Sequence, residues 1–322
     1  MDLTEILAPI SADMARTDRV ILESLDSDVL LIRQLGHYIV ASGGKRLRPA
    51  LVLMSARACG YTGDLHINMA TAIEFVHTAT LLHDDVVDSS RMRRGRDTAN
   101  EIWGNEAAVL VGDFIYSRAF QLMVSSNNMR ILSLLANASN TIAAGEVIQL
   151  GNAHDPDISE QQYLDVIARK TSTLFRAGCE IGGILGGMDE TQVDALGRYG
   201  MHLGNAFQLV DDLLDYHGDT SLIGKNVGDD LADGKTTLPL IHAIRNGSDE
   251  QAGLIRRAIR EGDNSRIAEI VHAIESTGAM EYTSALAKRE SRAAVEALET
   301  LPQTPFREAM IDLAGFAVAR TY

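Results

Sequence analysis

The chain has 322 residues, 46% of them hydrophobic, and 29 basic side chains stand against 44 acidic ones for a formal net charge of −15. Such an acidic balance excludes a general nucleic-acid binder, which is usually basic, but admits an anionic ligand wherever cations cluster locally. Two cysteines far apart, Cys59 and Cys179, argue against a disulfide framework and for a reducing, cytoplasmic setting.

The opening MDLTEILAPISADMARTD carries acids where a signal peptide carries bases, and no apolar run is expected to reach the roughly 18 residues of a transmembrane segment. Pro49 suits the first turn of a helix through LVLMSARA. Asn68 is placed to cap the next helix, whose AIEFVHTATLL is apolar nearly all round and so belongs inside a bundle. Ser159 with Gln162, and Asp189 with Gln192 after Gly186 and Gly187, form capping boxes. The helix that follows carries QLVDDLLDY and is expected to end at Gly218. Residues 218–234 read as a Gly- and Asp-rich loop, and the last third returns to amphipathic helices. These signals predict one all-α domain over residues 1–322.

Two acidic groups stand out. DDVVD at 84–88 recurs in form as DDLLD at 211–215. On a helix, Asp84 and Asp88 share a face, as do Asp211 and Asp215. Like charges at that spacing destabilise a helix by about 0.2–0.5 kcal/mol, so the repetition asks for a counter-charge. Mg²⁺ suits it, since that ion prefers oxygen ligands and takes one or two carboxylates with waters and substrate phosphates. The chain offers no His/Cys set for zinc, no EF-hand loop and no P-loop. One such cluster is commonly a solvated helix end; two, each after an apolar helix, favour a site.

Cations accompany both clusters. Lys45, Arg46 and Arg48 lie in GGKRLRP at a predicted helix start, and Arg93 and Arg94 follow the first cluster. Lys170 precedes Thr171, while Lys225 and Lys235 follow the second cluster. Arginine forks and lysine charges both suit phosphate, and a diphosphate bridged to carboxylates by Mg²⁺ fits the whole set.

With GGKRLRP, LLHDDVVDSSRMRRG, Lys170–Thr171, FQLVDDLLD and GKNVGDDLADGKTTLPL, the chain resembles the trans-isoprenyl diphosphate synthases (polyprenyl synthetases). The likeness extends through GDFIYSRAFQLM and GEVIQL. It implies a single helical bundle of the isoprenoid synthase type around a hydrophobic cavity, and a homodimer. It implies condensation of isopentenyl diphosphate with an allylic diphosphate such as farnesyl diphosphate, giving an octaprenyl product for quinone side chains. Asp84, Asp88 and Asp211 would bind Mg²⁺, about three ions with substrate present, supported by Asp85, Asp212 and Asp215. Arg93, Lys170, Lys225 and Lys235 would hold the allylic diphosphate. Lys45, Arg48, His77 and Arg94 would hold isopentenyl diphosphate, and Gln208 and Thr171 would lie near the reacting end. Arg46 receives no contact role. His77 lies seven residues before Asp84, almost two turns, so it shares that face. His83 is expected only to bond locally.

Small residues at Ala79 and Thr80, where bulky aromatics stop the tail in short-chain members, imply a long product, and Phe120 and Met123 are candidates for the tunnel floor. Eight isoprene units extend to about 40 Å, the length of a helix of roughly 27 residues. The rival readings are a shorter- or longer-chain synthase, a terpene cyclase, which needs no second substrate, and a non-catalytic synthase subunit. GGKRLRP, Arg94 and the second complete DDxxD favour condensation.

Overall fold

The computed structural model describes residues 1–41, 43–93, 95–217 and 227–319. Its α-helices are α1 Leu3–Leu7, α2 Ser11–Ser24, α3 Leu30–Ala41, α4 Leu47–Ala58, α5 Leu65–Val87, α6 Ala99–Trp103, α7 Asn105–Ser125, α8 Met129–Asn152 and α9 Glu160–Ile167. After a short π-helix, Ala168–Ser172, come α10 Thr173–Leu185, α11 Glu190–Asp215, α12 Asp229–Ala232 and α13 Leu238–Asn246. The last are α14 Asp249–Glu261, α15 Ile267–Ser276, α16 Ala279–Ala297 and α17 Pro305–Ala319. Among the described residues the strands are a two-residue antiparallel ribbon, β1 Met92–Arg93 and β2 Arg96–Asp97. The all-α reading therefore holds. The chain folds as two compact units, one of Met1–Ser139, Leu174–Gly200 and Val295–Leu313, the other of Asn140–Thr173, Met201–Ala294 and the chain from Ala314.

In the first unit α5 is the hub. It packs against α2, α4 and, most extensively, α7. Ile67, Met69, Ala70, Ile73, Phe75, Val76, Ala79 and Leu82 are buried around its circumference, as its all-round apolar sequence predicts. Truncating a core residue of this kind, Ile73→Ala for instance, costs about 2–5 kcal/mol. On α5 the buried His66 is paired through Nε2, 3.0 Å from Asp13 of α2, which also receives Arg57 through two nitrogens, at 2.7 and 3.0 Å. Burial works to raise the Asp13 carboxyl, but the bonds from Arg57 and His66 outweigh it and hold it below the usual range. Helix α5 begins after Asp64, four residues earlier than a cap at Asn68 would place it. Pro49 does lie in the first turn of α4.

In the second unit two apolar clusters fix the helices. Leu240, Ala243, Ile255, Ile259, Ile270 and Ile274 join α13, α14 and α15. Ile158, Tyr163, Ile167, Leu209, Val210, Leu238 and Leu286 join α9, α11, α13 and α16. The capping boxes are present: Ser159 accepts from the Gln162 N–H, and Asp189 from the Gln192 N–H at 2.9 Å. Helix α11 ends at Asp215, so its end precedes Gly218, which lies outside the described residues. Within the expected loop, Asp229–Ala232 forms one helical turn.

By length and composition alone, α7 and α8 could cross a membrane; a third of each apolar window is buried. Polar residues such as Asp113, Ser117 and Arg118 interrupt the run in α7.

Candidate active site

The first acidic cluster forms the last turn of α5, with Asp88 as its C-cap. The Asp88 N–H donates to the Asp84 carbonyl at 2.8 Å, so helical geometry persists through the cap and the two residues share a face. Asp84 and Asp88 are partly exposed, whereas Asp85 is buried. Arg93 meets Asp85 with Nε at 2.8 Å and Nη2 at 2.6 Å. A short tether brings it there. The Ser90 N–H donates to the Asp85 carbonyl at 2.9 Å. The Ser90 carbonyl in turn accepts the Thr98 hydroxyl at 2.6 Å and the Asn100 amide at 3.1 Å. The ribbon reverses at Gly95, whose φ of 73° suits glycine. Burial raises the Asp85 carboxyl above its ordinary value, against Arg93 and with help from Asp84 and Asp88.

Near the start of α4, Arg46 adopts a left-handed conformation (φ 50°) and reaches Glu74 at 2.6 Å and Asp18 at 3.8 Å. It ties α4 to α5 and α2, in keeping with its lack of an expected contact role. Lys45 is exposed. Arg48 and His77, expected to share a substrate, do meet: Arg48 Nη1 is 3.0 Å from His77 Nε2, and its guanidinium carbon is 4.9 Å from the Phe175 ring centre. A guanidinium only donates, so His77 Nε2 accepts this bond and the ring proton resides on Nδ1. His77, Asp85, Arg93 and Arg96 line a cavity of about 60 Å³ in this unit. His83 does not bond locally but reaches α7, 3.3 Å from the Val109 carbonyl and 3.4 Å from Asp113.

The second cluster ends α11. Leu209, Val210 and Leu213 are buried and leave Asp211 on the exposed side. Asp215 shares Asp211's face but is covered by returning chain. Its carbonyl accepts the Gly228 N–H at 2.9 Å, and its Oδ2 the Asp230 N–H at 3.3 Å. Asp212 is buried; its Oδ2 lies 2.5 Å from the Tyr163 hydroxyl and its Oδ1 accepts the Gln208 amide at 2.9 Å. Gln208 Oε1 accepts the Thr171 hydroxyl at 2.9 Å. Burial and the nearby Asp230, opposed by bonds from Tyr163 and Gln208, push the Asp212 carboxyl up to about 8.

Lys170 and Thr171 lie on the π-helix Ala168–Ser172, a geometry frequent at functional sites. Glycine lets neighbouring helices close on it: a Cβ at Gly204 would stand 2.6 Å from Ser172 Cα, and one at Gly145 2.9 Å from Arg169 Cβ. Lys170 Nζ bonds Glu146 at 2.6 Å and Lys235 Nζ bonds Asp233 at 2.9 Å. Lys170, Thr171, Gln208, Asp212, Asp230 and Lys235 line a cavity of about 150 Å³ in the second unit.

Ala79 and Met123 are fully buried, and the Thr80 hydroxyl donates to the His77 carbonyl at 2.8 Å. Phe120 lies 60° round α7 from Met123, is 36% exposed and packs edge-on to Tyr116 at 5.3 Å. Arg94 and Lys225 lie outside the described residues. Tyr163, Glu146 and Asp230 are site residues the sequence reading missed. Tyr163 carries a usable signal: it falls seven residues, two helical turns, before Lys170. Among the described residues no group of three or more His, Cys, Asp or Glu side chains is gathered to hold a metal by itself. The oxygen-only donors fit a hard cation that completes its shell with substrate phosphates and water.

The polyprenyl synthetase family model matches residues 29–276. The octaprenyl diphosphate synthase of Escherichia coli (strain K12) is 52% identical over 321 residues, 99% of each chain. A polyprenyl synthase from Caulobacter crescentus CB15, solved in complex with calcium and isoprenyl diphosphate, is 44% identical, with a TM-score of 0.96 over 100% of this chain and 98% of that one. A decaprenyl diphosphate synthase from Rhodobacter capsulatus is 43% identical, with a TM-score of 0.94 over 100% of both chains.

Proposed function

The chain belongs to the polyprenyl synthetase family, and on that premise we propose that it is a long-chain trans-polyprenyl diphosphate synthase. It extends an allylic diphosphate, farnesyl diphosphate being the expected primer, with isopentenyl diphosphate. The observation that carries this reading is that both DDxxD motifs fold as helix-end carboxylate groups accompanied by cations. The family model spans residues of both units, which supports one activity served by both and the expectation of one catalytic domain.

Divalent metal use follows from the donor chemistry and from the calcium held by the Caulobacter relative; Mg²⁺, about three ions, is the finer expectation. Asp84, Asp88 and Asp211, the carboxylates left accessible in the two clusters, would hold it. Bound Mg²⁺ supplies Lewis-acid neutralisation of the leaving diphosphate's charge. The chain's own residues do the rest. Arg93, Lys170, Lys235 and Lys225 hold the allylic diphosphate. Lys45, Arg48, His77 and Arg94 hold isopentenyl diphosphate. Asp85, Asp212 and Asp215 brace the clusters, and Thr171 and Gln208 face the reacting end.

The allylic C–O bond breaks, and its electron pair leaves with diphosphate. The double bond of isopentenyl diphosphate supplies the pair for the new C–C bond, and the resulting cation loses a proton to a base, the departed diphosphate. Fixed cations stabilise the charge as it develops, and exclusion of water protects the carbocation.

Octaprenyl diphosphate, a quinone side-chain precursor, is the proposed product. Ala79 and Thr80 leave room for a long tail, with Met123 farther along it. A homodimer is proposed through the outer face of α7, which exposes Leu110, Phe120 and Val124. Two free, buried cysteines accord with the cytoplasm. Incubation of the protein with Mg²⁺, farnesyl diphosphate and labelled isopentenyl diphosphate, with products resolved by length, tests the reading. A dominant C40 product is expected. Absence of label in any longer product, from folded protein, would overturn it.

A further inference from the structure

We propose that Tyr163 is a positioning residue for the condensation, its hydroxyl anchoring Asp212 so that Gln208 and Thr171 present a fixed hydrogen-bond pattern to the cavity they line. This rests on the synthase reading above.

The geometry is a directed chain. Asp212 accepts the Tyr163 hydroxyl on Oδ2 at 2.5 Å, and on Oδ1, at 2.9 Å, the Gln208 amide nitrogen, which can only donate. With its nitrogen committed to Asp212, Gln208 turns its oxygen towards Thr171, whose hydroxyl hydrogen is committed to it at 2.9 Å. What Thr171 retains for the cavity is its oxygen lone pairs. Four side chains from α9, the π-helix and α11 are thus held in a fixed pattern of donation that converges on Asp212, and all four line the same cavity, beside Lys170 and Lys235. Burial next to Asp212 and Asp230 raises the Tyr163 phenol well above its ordinary value, so the O–H remains a donor.

The ring alone does not need the oxygen. Tyr163 sits in an apolar cluster with Ile158, Ile167, Leu209 and Leu238, where a phenylalanine ring would pack as well. Its hydroxyl serves Asp212. Without it, Oδ2 lacks its donor and Gln208 is free to swing its amide across both carboxylate oxygens. Thr171 then loses its acceptor and turns its hydrogen to the cavity, where positive charge develops. Pre-set acceptors help a developing cation only if they need not reorganise. Diphosphate binding, carried by the lysines and arginines, should be spared.

The test uses the full chain with farnesyl and isopentenyl diphosphates. Tyr163→Phe should lower kcat about tenfold, with KM for both diphosphates within about twofold of wild type. Adding Gln208→Leu should cost little beyond that substitution alone, because both cut one chain. Para-aminophenylalanine at position 163 keeps the ring and an N–H donor, and should restore most of the rate. It also decides the matter if Tyr163→Phe does not fold. A wild-type kcat in Tyr163→Phe, multiplying losses in the double variant, or no rescue by the amino group would each overturn the role. Wild-type protein that forms no polyprenyl product would overturn the synthase reading first, and this role with it.

Discussion

The two DDxxD clusters share a spelling and a place at the end of a long helix, yet they are wired differently. In the first, the buried middle carboxylate, Asp85, is neutralised by a cation, Arg93, brought back by a ribbon only eight residues away in sequence. In the second, Asp212 meets two neutral donors, Tyr163 from 49 residues away and Gln208 from the preceding turn. The outer carboxylates differ as well. Asp84 and Asp88 both remain partly exposed, whereas Asp211 is exposed and Asp215 lies under the chain at 228–230. An identical motif thus leaves two accessible carboxylates in one cluster and one in the other. Those three, Asp84, Asp88 and Asp211, are the carboxylates proposed to hold metal.

The largest predicted effect is one the clusters should share. Asp84→Ala or Asp211→Ala should each lower turnover on the order of a thousandfold, with the helical circular dichroism unchanged. Near-normal turnover in either folded variant would remove that carboxylate from the metal set. The next separates the clusters. Arg93→Leu leaves the Asp85 carboxylate without its cation, and should cost roughly 1–3 kcal/mol in urea unfolding of the metal-free protein. An unchanged midpoint would show that the pair contributes nothing to the fold.

A third prediction concerns product length, which belongs to the helix before the first cluster. Ala79→Tyr puts a large ring at a fully buried position five residues before Asp84 and should shift the product ladder to shorter chains; an unchanged ladder would take Ala79 out of length control. The smallest effect is a pH slope special to the second cluster. The folded Asp212 carboxyl stands at about 8 against its ordinary 3.8, so between these values the folded state binds the extra proton. Its contribution to stability is whole at low pH and is lost as pH rises through about 8. Asp212→Asn should flatten that part of the metal-free stability curve, and an unaltered slope would contradict the assigned burial effect.

Much of this was legible because it is local. The all-round apolar AIEFVHTATLL predicts a buried helix, and α5 is one. Ser159–Gln162 and Asp189–Gln192 are boxes closed within four residues, so sequence spacing contains their whole geometry. Arg48 and His77 were paired by role and meet in space. What escaped depends on distant partners. Tyr163 gains its meaning only from Asp212, and Lys170 its acid from Glu146, 24 residues earlier. Asn68 was misread because the polar residue nearest the apolar run need not be the one at which helical geometry begins; Asp64 precedes it. Met123 and Phe120 differ in burial because α7 is apolar enough that periodicity does not separate its inner and outer faces. At the π-helix, Gly145 and Gly204 permit a close approach of neighbouring chain that no local propensity records.

The central proposal is that the carboxylates of each cluster are needed for metal-dependent binding of an allylic diphosphate. The most direct measurement is calorimetric binding of a non-ionising thiolo analogue of farnesyl diphosphate, with and without Mg²⁺, to the wild type and to Asp84→Ala and Asp211→Ala. The account predicts Mg²⁺-dependent binding to the wild type that weakens at least about tenfold in each variant. Binding indifferent to Mg²⁺, or lost in one variant and intact in the other, would contradict it.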